Sequence, residues 1–528
     1  MKRKKLADFL KKDIMILAIL FVFGLLFVSQ YSEHLDQVTE QRILYSNVLS
    51  YCQKTGAFPG LAKAFMNDGI VPIEVAIDRD HGAAVFYPIT WIYAVNNYNS
   101  FWGNIIWHTY IYCFNFLAVI ALYYLVKEIF DKKIAIISTL LYFLTPAMFA
   151  QAHYNNKDMV LLSLAVVTFY TGFKMTQKED VKWAILFGVS GAFFANMKII
   201  GIPMWGFVLV CTIVERIVRK KFNKKLFLAI VISTLVALGV YCLITPAIWS
   251  NPIEYIVMTV DQAKNYRWMD YVLFNGHAVS SSSTGIPRKY LPVMITLTTP
   301  IGILILMVLG VLGMVKAVIA KKADSKVLYG IYAAICGLIP LAYGVLSAAV
   351  VYNGWRHFYF VYASMILFAA FGVYFVLSFK KEKIFIAILA AYTLFLLSEV
   401  IAGNPYQYGY YNEFARFFVE DRFETDYWDM SFKQAVEYIA KNDSSEHITL
   451  SGCDNPTRWG INPAIRAIRG RDRLRLESID DWMQADYVLV NYGYAQLYSQ
   501  EDLKNLEENR ECVKVFKTYG NKMSAIYH

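Results

Sequence analysis

Charge is scarce in this sequence. Only 17% of its 528 residues are Asp, Glu, Lys or Arg, whereas 57% are hydrophobic. A soluble protein carries about 25% charged residues, so a large soluble core does not account for this composition. The deficit is concentrated in long apolar runs, which are typical of a protein that crosses a membrane many times. The net charge of +10 does not indicate nucleic-acid binding, because the basic residues stand in short clusters between these runs.

Several sequence motifs are absent as well. There is no Gly-rich phosphate loop, no internal repeat and no tight metal-ligand spacing such as His-Glu-x-x-His. The first absence argues against a domain that uses nucleotide sugars, and the second argues against a secondary transporter with matched broken helices. The first apolar run, 14–28, is not followed by a small-x-small cleavage site, so we expect an uncleaved membrane span.

The apolar runs predict a polytopic α-helical membrane protein, because a spanning helix needs about 20 mostly apolar residues. We expect about eleven transmembrane helices. They cover residues 14–29, 104–126, 134–150, 158–174, 183–197, 199–214, 226–246, 292–315, 327–350, 358–378 and 384–402. The runs 183–197 and 199–214 are short and are interrupted by Asn196, Lys198 and Pro203, so one bent span is the alternative there.

The positions of the basic clusters favour two separate spans. Lys and Arg collect on the cytoplasmic side of membrane proteins. With two spans at 183–214, every basic cluster between spans falls on the same side as the N-terminus. This topology predicts a multi-pass protein of the cell membrane with a cytoplasmic N-terminus and an extracytoplasmic C-terminus. It also places two long loops, 30–103 and 247–291, on the outer side.

The tail after residue 402 has the pattern of a small α/β domain. Apolar spacing predicts a helix at 431–441, strands at 447–451 and 486–491, and a hairpin from 513–517 and 524–527. We therefore divide the chain into a transmembrane domain, 1–402, and an extracytoplasmic C-terminal α/β domain, 403–528.

Ionisable groups gather in four outer segments. Each could have a simple role, because loop acids are usually solvated, Lys157 and Asp158 could cap a helix, and Arg356 with His357 could anchor at lipid headgroups. Their occurrence on one side of the membrane indicates a transporter or a membrane enzyme. The groups are Glu33, His34, Asp36 and Glu40, then Asp78, Asp80 and His81, then Lys157 and Asp158, and finally Arg356 and His357.

The string Tyr154-Asn-Asn-Lys-Asp158 resembles a signature of the GT-C superfamily, the polytopic glycosyltransferases that use lipid-phosphate-linked sugars. Within it the chain is similar to glycosyltransferase family 39, which holds the protein O-mannosyltransferases and aminoarabinose transferases. Other stretches that are similar to the family occur in the family's order along the chain, and the resemblance runs from about Asp36 to Trp428. These stretches are Asp80-His-Gly82, Asn353-Gly-Trp-Arg-His357, Asn404-Pro-Tyr-Gln-Tyr408 with Tyr411-Asn412, and Phe423-Glu-Thr-Asp-Tyr-Trp428.

The chain departs from this family at two places in the first loop. It has Asp36-Gln37 with Glu40 where the mannosyltransferases have a paired Asp-Glu. It also has Gly82-Ala83 where relatives have Pro-Pro. The first difference bears on the choice of catalytic acid, and the second bears on the substrate.

The resemblance implies a GT-C-like fold and a reaction. A sugar leaves a polyprenyl phosphate in the bilayer as the hydroxyl of an outer protein or glycan acceptor attacks it with inversion, and no nucleic acid takes part. Asp36 is expected as general base, because the family places its base just after the first span, and Asp80 is the second candidate. Lys157, Arg356 and His357 are expected to neutralise the donor phosphate. Asp78, His81, Asn156 and Asp158 are expected to bind substrate.

Three alternatives stay open. No cofactor is required, but Glu33, His34, Asp80, His81, His153 and His357 could approach one another, which leaves a divalent metal ion open. A secondary transporter or lipid flippase would bind a similar substrate without chemistry. A surface-polysaccharide polymerase or ligase of the same superfamily would join long glycans instead of adding one sugar.

Overall fold

The computed structural model describes residues 2–265, 268, 270–280, 285–320, 324–453, 455–493, 497 and 500–528. Its helices up to the second long outer loop are α1 Lys2–Leu25, α2 Gln37–Thr55, α3 Pro59–Asn67, α4 Ile92–Tyr98, α5 Ser100–Ile129, α6 Lys132–Phe143, α7 Pro146–Tyr154, α8 Asp158–Lys178, α9 Val181–Met197, α10 Gly201–Val218, α11 Lys224–Ile244 and α12 Pro252–Asn265. The remaining helices are α13 Tyr290–Thr298, α14 Ile301–Ile319, α15 Ser325–Cys336, α16 Leu338–Leu346, α17 Tyr362–Leu377, α18 Glu382–Ala402, α19 Phe432–Asn442, α20 Asn455–Ala467 and α21 Gln500–Asn509.

All of the predicted spans fall on helices, but fewer helices are long and apolar enough to cross a membrane. In the described part of the chain eight helices qualify, or nine if the bent pair α6 and α7 is one span. The run 134–150 is broken before Pro146 with a bend of 69°. The runs at 14–29 and 183–197 form shorter apolar helices, Asp13–Leu25 and Val181–Met197. The molecule is a polytopic helical membrane protein, and the count of eleven is not confirmed.

Two helices, not one bent helix, occupy residues 181–218. Trp205, early in α10, stacks on Phe187, which lies well before the end of α9, with ring centres 5.2 Å apart. The Trp205 indole nitrogen also donates to the Phe187 carbonyl at 3.2 Å. These contacts require α10 to fold back along α9, as predicted for two separate spans.

Helices α14 and α17 cross in direct backbone contact. A Cβ on Gly310 would lie 2.0 Å from the Phe368 carbonyl oxygen, and one on Gly372 would lie 2.0 Å from the Leu306 oxygen. Small residues at such crossings let helices approach closely in a membrane. Because α17 is surrounded by other helices, it holds the outer segment just before it, with Arg356, against the centre of the molecule.

The segments predicted as long outer loops contain structure of their own. The first, 30–103, holds α2, α3 and α4, and the second, 247–291, holds α12 and a hairpin of β1 Tyr271–Phe274 and β2 His277–Ser280. Helix α2 is the element that matters most for the site, because it starts directly after Asp36.

The chain after α18 folds into a five-stranded mixed sheet. The strands are β3 Ile448–Gly452, β4 Leu476–Ser478, β5 Tyr487–Asn491, β6 Cys512–Thr518 and β7 Asn521–Tyr527. Their order is β4-β3-β5-β7-β6, with β3 parallel to β4 and β5, and β7 antiparallel to its neighbours. The helix and strands expected here occur within one residue of their predicted bounds, except that β7 begins three residues earlier than predicted. Alternate residues serve two cores, since Leu489 packs on one face of the sheet and Val488 with Val490 on the other.

Candidate active site

The site is built around the start of α8. The side-chain oxygen of Asn155 accepts hydrogen bonds from the backbone nitrogens of Lys157 at 3.2 Å and Asp158 at 2.8 Å. Asn155 therefore satisfies donors that the helix start leaves open. The alternative in which Asp158 serves as the cap is wrong, and its carboxylate is left to interact with other groups.

Two cations bind the buried carboxylate of Asp158. Lys198 Nζ lies 2.5 Å from one carboxylate oxygen, and Arg356 Nη1 lies 3.4 Å from the other. The Asp158 side chain is only 1% exposed. Because a lone buried charge is unfavourable, this carboxylate requires its cations and in turn holds them in place.

Arg356 connects this buried pair to the outer opening of the site. Its Nη1 also lies 3.4 Å from a carboxylate oxygen of Asp36, whose side chain is 49% exposed. The guanidinium carbon lies 4.6 Å from the ring centre of Trp428 and 4.9 Å from that of Tyr352. Such aromatic contacts suit a planar guanidinium and fix its orientation. Its Nε is buried and has no hydrogen-bond partner among the described residues.

Lys157 forms an ion pair with a different acid, Glu40. Its Nζ lies 2.9 Å from Glu40, and both side chains are nearly buried. Burial raises the pKa of Glu40, and the charge of Lys157 opposes that rise. Because Glu40 follows Asp36 by four residues, this pair lies near the Asp36–Arg356 contact on the same side of α2.

Two histidines of the site differ in exposure, since His34 is buried and the side chain of His81 is 35% exposed. His34 lies 3.0 Å from the Asn156 side-chain oxygen, and burial lowers the pKa of His34 to about 4. Burial also lowers the pKa of His81 well below its ordinary value, with the charges of Lys157 and Lys198 adding to the effect. The lowered pKa values favour the neutral rings, which can offer hydrogen bonds to a substrate.

The remaining predicted residues lie around this centre. Burial raises the pKa of Asp80, whose carboxylate lies 3.8 Å from His81 Nε2. The backbone oxygen of Asp78 accepts a hydrogen bond from the backbone nitrogen of His81 at 3.0 Å. The His357 ring packs edge-on against Tyr352, with centres 4.6 Å apart. The structure thus brings Asp36, Asp158 and Arg356 into contact and arranges the others around them.

Lys198 and Glu424 belong to the site but were not predicted for it. Lys198 had a signal in the sequence, since it is a lysine at an outer connection, opposite the basic clusters. Burial lowers the pKa of Lys198, and Asp158 opposes that shift. Burial raises the pKa of Glu424 to about 7, although the nearby charge of Arg356 lowers it. Glu424 lies within a quoted motif, but its burial could not be seen from the sequence.

Two of the residues considered for a metal ion have other hydrogen-bond or ion-pair partners. Glu33 binds Arg466 at 2.5 Å, and His153 contacts the carbonyls of Phe149 and Gly24 at 2.7 and 2.9 Å. Across the described ranges, no three His, Cys, Asp or Glu side chains form a group that could hold a metal.

Residues 80–249 match the family model described as dolichyl-phosphate-mannose-protein mannosyltransferase. The predicted resemblance to GT-C glycosyltransferases is thereby confirmed over this segment. It contains Asp80, His81, Lys157, Asp158 and Lys198, whereas Asp36, Arg356 and His357 lie outside it. No curated protein matches the chain significantly.

Solved structures with similar topology include two of ArnT from Cupriavidus metallidurans. The apo form has 12% identity and a TM-score of 0.47, and the form bound to undecaprenyl phosphate has 10% and 0.46; each comparison covers 98% of both chains. An oligosaccharyltransferase from Archaeoglobus fulgidus, in complex with Zn and sulfate, has 12% identity and a TM-score of 0.47 over 96% of this chain and 73% of its own. With TM-scores below 0.5, these likenesses establish no function.

Proposed function

We propose that this protein is a membrane glycosyltransferase that moves a sugar from a polyprenyl-phosphate-linked donor to the hydroxyl of an extracytoplasmic protein or glycan acceptor. The observation that carries the proposal is Arg356, a buried guanidinium between a half-exposed carboxylate, Asp36, and a buried one, Asp158. The family match over residues 80–249 supports the reaction class. The basic clusters support an outward-facing site and a cytoplasmic N-terminus.

The donor phosphate would bind at Arg356. Its Nε has no partner among the residues that the structure describes, and a guanidinium can bind a phosphate through two parallel hydrogen bonds. Lys198 adds a second positive charge, because it contacts the same Asp158 carboxylate. Lys157 and His357 complete the phosphate-binding set, while Asp78, His81, Asn156 and Asp158 shape the surrounding pocket. In a partly buried site, the charges of Arg356, Lys157 and Lys198 act more strongly than they would in water. His357 offers a hydrogen bond, because burial lowers the pKa of its ring well below the ordinary value.

Asp36 would act as the general base. Its carboxylate is accessible at 49% exposure, so an acceptor hydroxyl can approach it beside the bound donor. As Asp36 takes the hydroxyl proton, the acceptor oxygen forms a bond to the anomeric carbon. The bond from that carbon to the phosphate oxygen breaks with inversion, and polyprenyl phosphate leaves with the electron pair. Asp80 is the second candidate, because burial raises its pKa and makes it a stronger base.

The test is release of polyprenyl phosphate by the purified protein in lipid nanodiscs. A panel of polyprenyl-phosphate sugars and cell-envelope acceptors would be compared for wild type, Asp36→Asn and the control Asp502→Asn, an exposed acid in α21. Loss of a general base should lower turnover by about 10² or more, with the control unchanged. Equal release by all three would transfer the role to Asp80. No release with any donor would contradict the proposal and favour a transporter.

A further inference from the structure

A polar cavity lies on the side of α2 opposite to Arg356. Its volume is about 300 Å³, and it opens between the first outer loop and the sheet-containing C-terminal unit. Asp36 and Glu40 meet the cations of the active site, whereas Gln41 and Tyr45 turn toward this cavity. Its polar lining includes Gln41, Tyr45, Tyr93, Asn96, Asn104 and Arg466.

The cavity contains an unused hydrogen-bond donor. The Gln41 side-chain oxygen accepts from Asn96 at 3.0 Å, but its nitrogen has no partner within the described part of the chain. Gln41 is only 6% exposed. A buried amide nitrogen without a partner is costly, so a group bound in the cavity would satisfy it.

The lining has the chemistry for a neutral polyhydroxyl ligand. Amides donate and accept hydrogen bonds, as sugar hydroxyls do, and the Tyr45 and Tyr93 rings, with centres 5.3 Å apart, offer apolar surface. The charges balance, because two arginines, Arg42 and Arg466, are matched by Glu33 and Asp68. A phosphate, which only accepts hydrogen bonds and needs net positive charge, would be less suited.

We propose that this cavity binds a neutral sugar residue of the acceptor, so that the acceptor is a glycan. The proposal rests on the proposed function, since another hydroxyl of the same glycan would reach Asp36. A helix with its side chains is about 10 Å across, so the bound sugar lies near the reacting one but is not itself modified. Arg466 of α20 forms part of the wall and is held by Glu33 at 2.5 Å. The C-terminal unit thereby takes part in acceptor selection.

Binding can be measured without the donor. Saturation-transfer NMR on the full-length protein in nanodiscs would use tri- and tetrasaccharides of mannose, glucose and N-acetylglucosamine. We expect at least one series to bind. Asn96→Ala should weaken that binding roughly tenfold, because it removes one or two hydrogen bonds. The matched control is Asn442→Ala, which removes an exposed amide that donates to the Tyr438 carbonyl in its own helix, and this variant should bind as wild type.

Asn97→Ala guards against misfolding, because Asn97 is exposed at the cavity and its removal should weaken binding several-fold without unfolding the chain. Absence of binding, or equal binding by every variant, would overturn the proposal. Release of polyprenyl phosphate is followed in the same preparations. Turnover without cavity binding would reject the cavity alone. Binding that depends on Asn96 and Asn97 without turnover would support the cavity and reject the transferase.

Discussion

Lys198 and Asp158 form the contact whose removal should reveal most about the site. Asp158→Asn leaves Lys198 and Arg356 without their shared acid. Lys198→Met leaves a buried carboxylate with Arg356 alone. The double variant removes both charges, and Arg356 keeps Asp36. If the pair acts as a unit, the double variant should be more stable than the sum of the single effects allows.

The expected size follows from distance and burial. At 2.5 Å and an effective dielectric constant of about 20, the attraction is about 7 kcal/mol before desolvation. Desolvation of both groups offsets much of this, although the Lys198 side chain keeps 25% exposure and part of its hydration. We expect each single variant to lose about 3 kcal/mol of unfolding free energy, with a coupling energy of about 2–3 kcal/mol.

The measurement is reversible unfolding in mixed micelles, followed by circular dichroism for the four proteins of the cycle. The control is a parallel cycle on Lys133 and Glu382. Their side chains are in contact at 2.7 Å but are 62% and 42% exposed. Exposed pairs contribute little, so its coupling energy should be much smaller than that of Asp158 and Lys198. Effects of Asp158 and Lys198 that add within about 0.5 kcal/mol would refute the reasoning.

Three further predictions concern neighbouring groups. Because burial raises the Glu424 pKa from 4.5 to about 7, the folded state keeps a proton that the unfolded state loses, and the free energy of unfolding falls between pH 4.5 and 7. Glu424→Gln should remove this fall, which amounts to up to about 3 kcal/mol, in thermal unfolding measured against pH. An unchanged pH dependence in the variant would assign the fall to another group. Arg356→Lys keeps the positive charge but loses the planar guanidinium, so the KM for the donor should rise roughly tenfold while thermal stability changes little. An unchanged KM would place the donor phosphate elsewhere. Gly82→Ala would bring a Cβ within 1.9 Å of the Asn196 carbonyl oxygen and should lower the free energy of unfolding by about 1–3 kcal/mol in thermal unfolding. Gly60→Ala, which has open space around it, is the control and should be neutral. Equal stability of the two variants would contradict this packing.

The sequence by itself determined where the long apolar helices lie and much of the C-terminal sheet. Apolar runs and alternation are local patterns, and the backbone must satisfy its hydrogen bonds within a membrane by forming helices. The same runs could not reveal which helices are broken or too short, because breaks such as the one before Pro146 depend on what packs around the freed backbone groups.

The residue types of the site were also predictable, since ionisable groups beside apolar runs are rare and costly. Their partners were not. Arg356 and Asp36 are separated by 320 positions, and Asp158 and Lys198 by 40, so their pairing follows from how α2, α8, α9 and α17 pack. From the sequence, Lys198 was only an interruption of a predicted span. Asn155, not Asp158, accepts from the backbone nitrogens at the start of α8.

Tertiary structure alone decided the burial of Glu424 and the cavity beside Arg466. It also left the side-chain nitrogen of Gln41 without a partner among the described residues. Each depends on the distance between side chains that are far apart in the chain. Desolvation and Coulomb interactions change steeply over a few ångström, and only the packed helices set those distances.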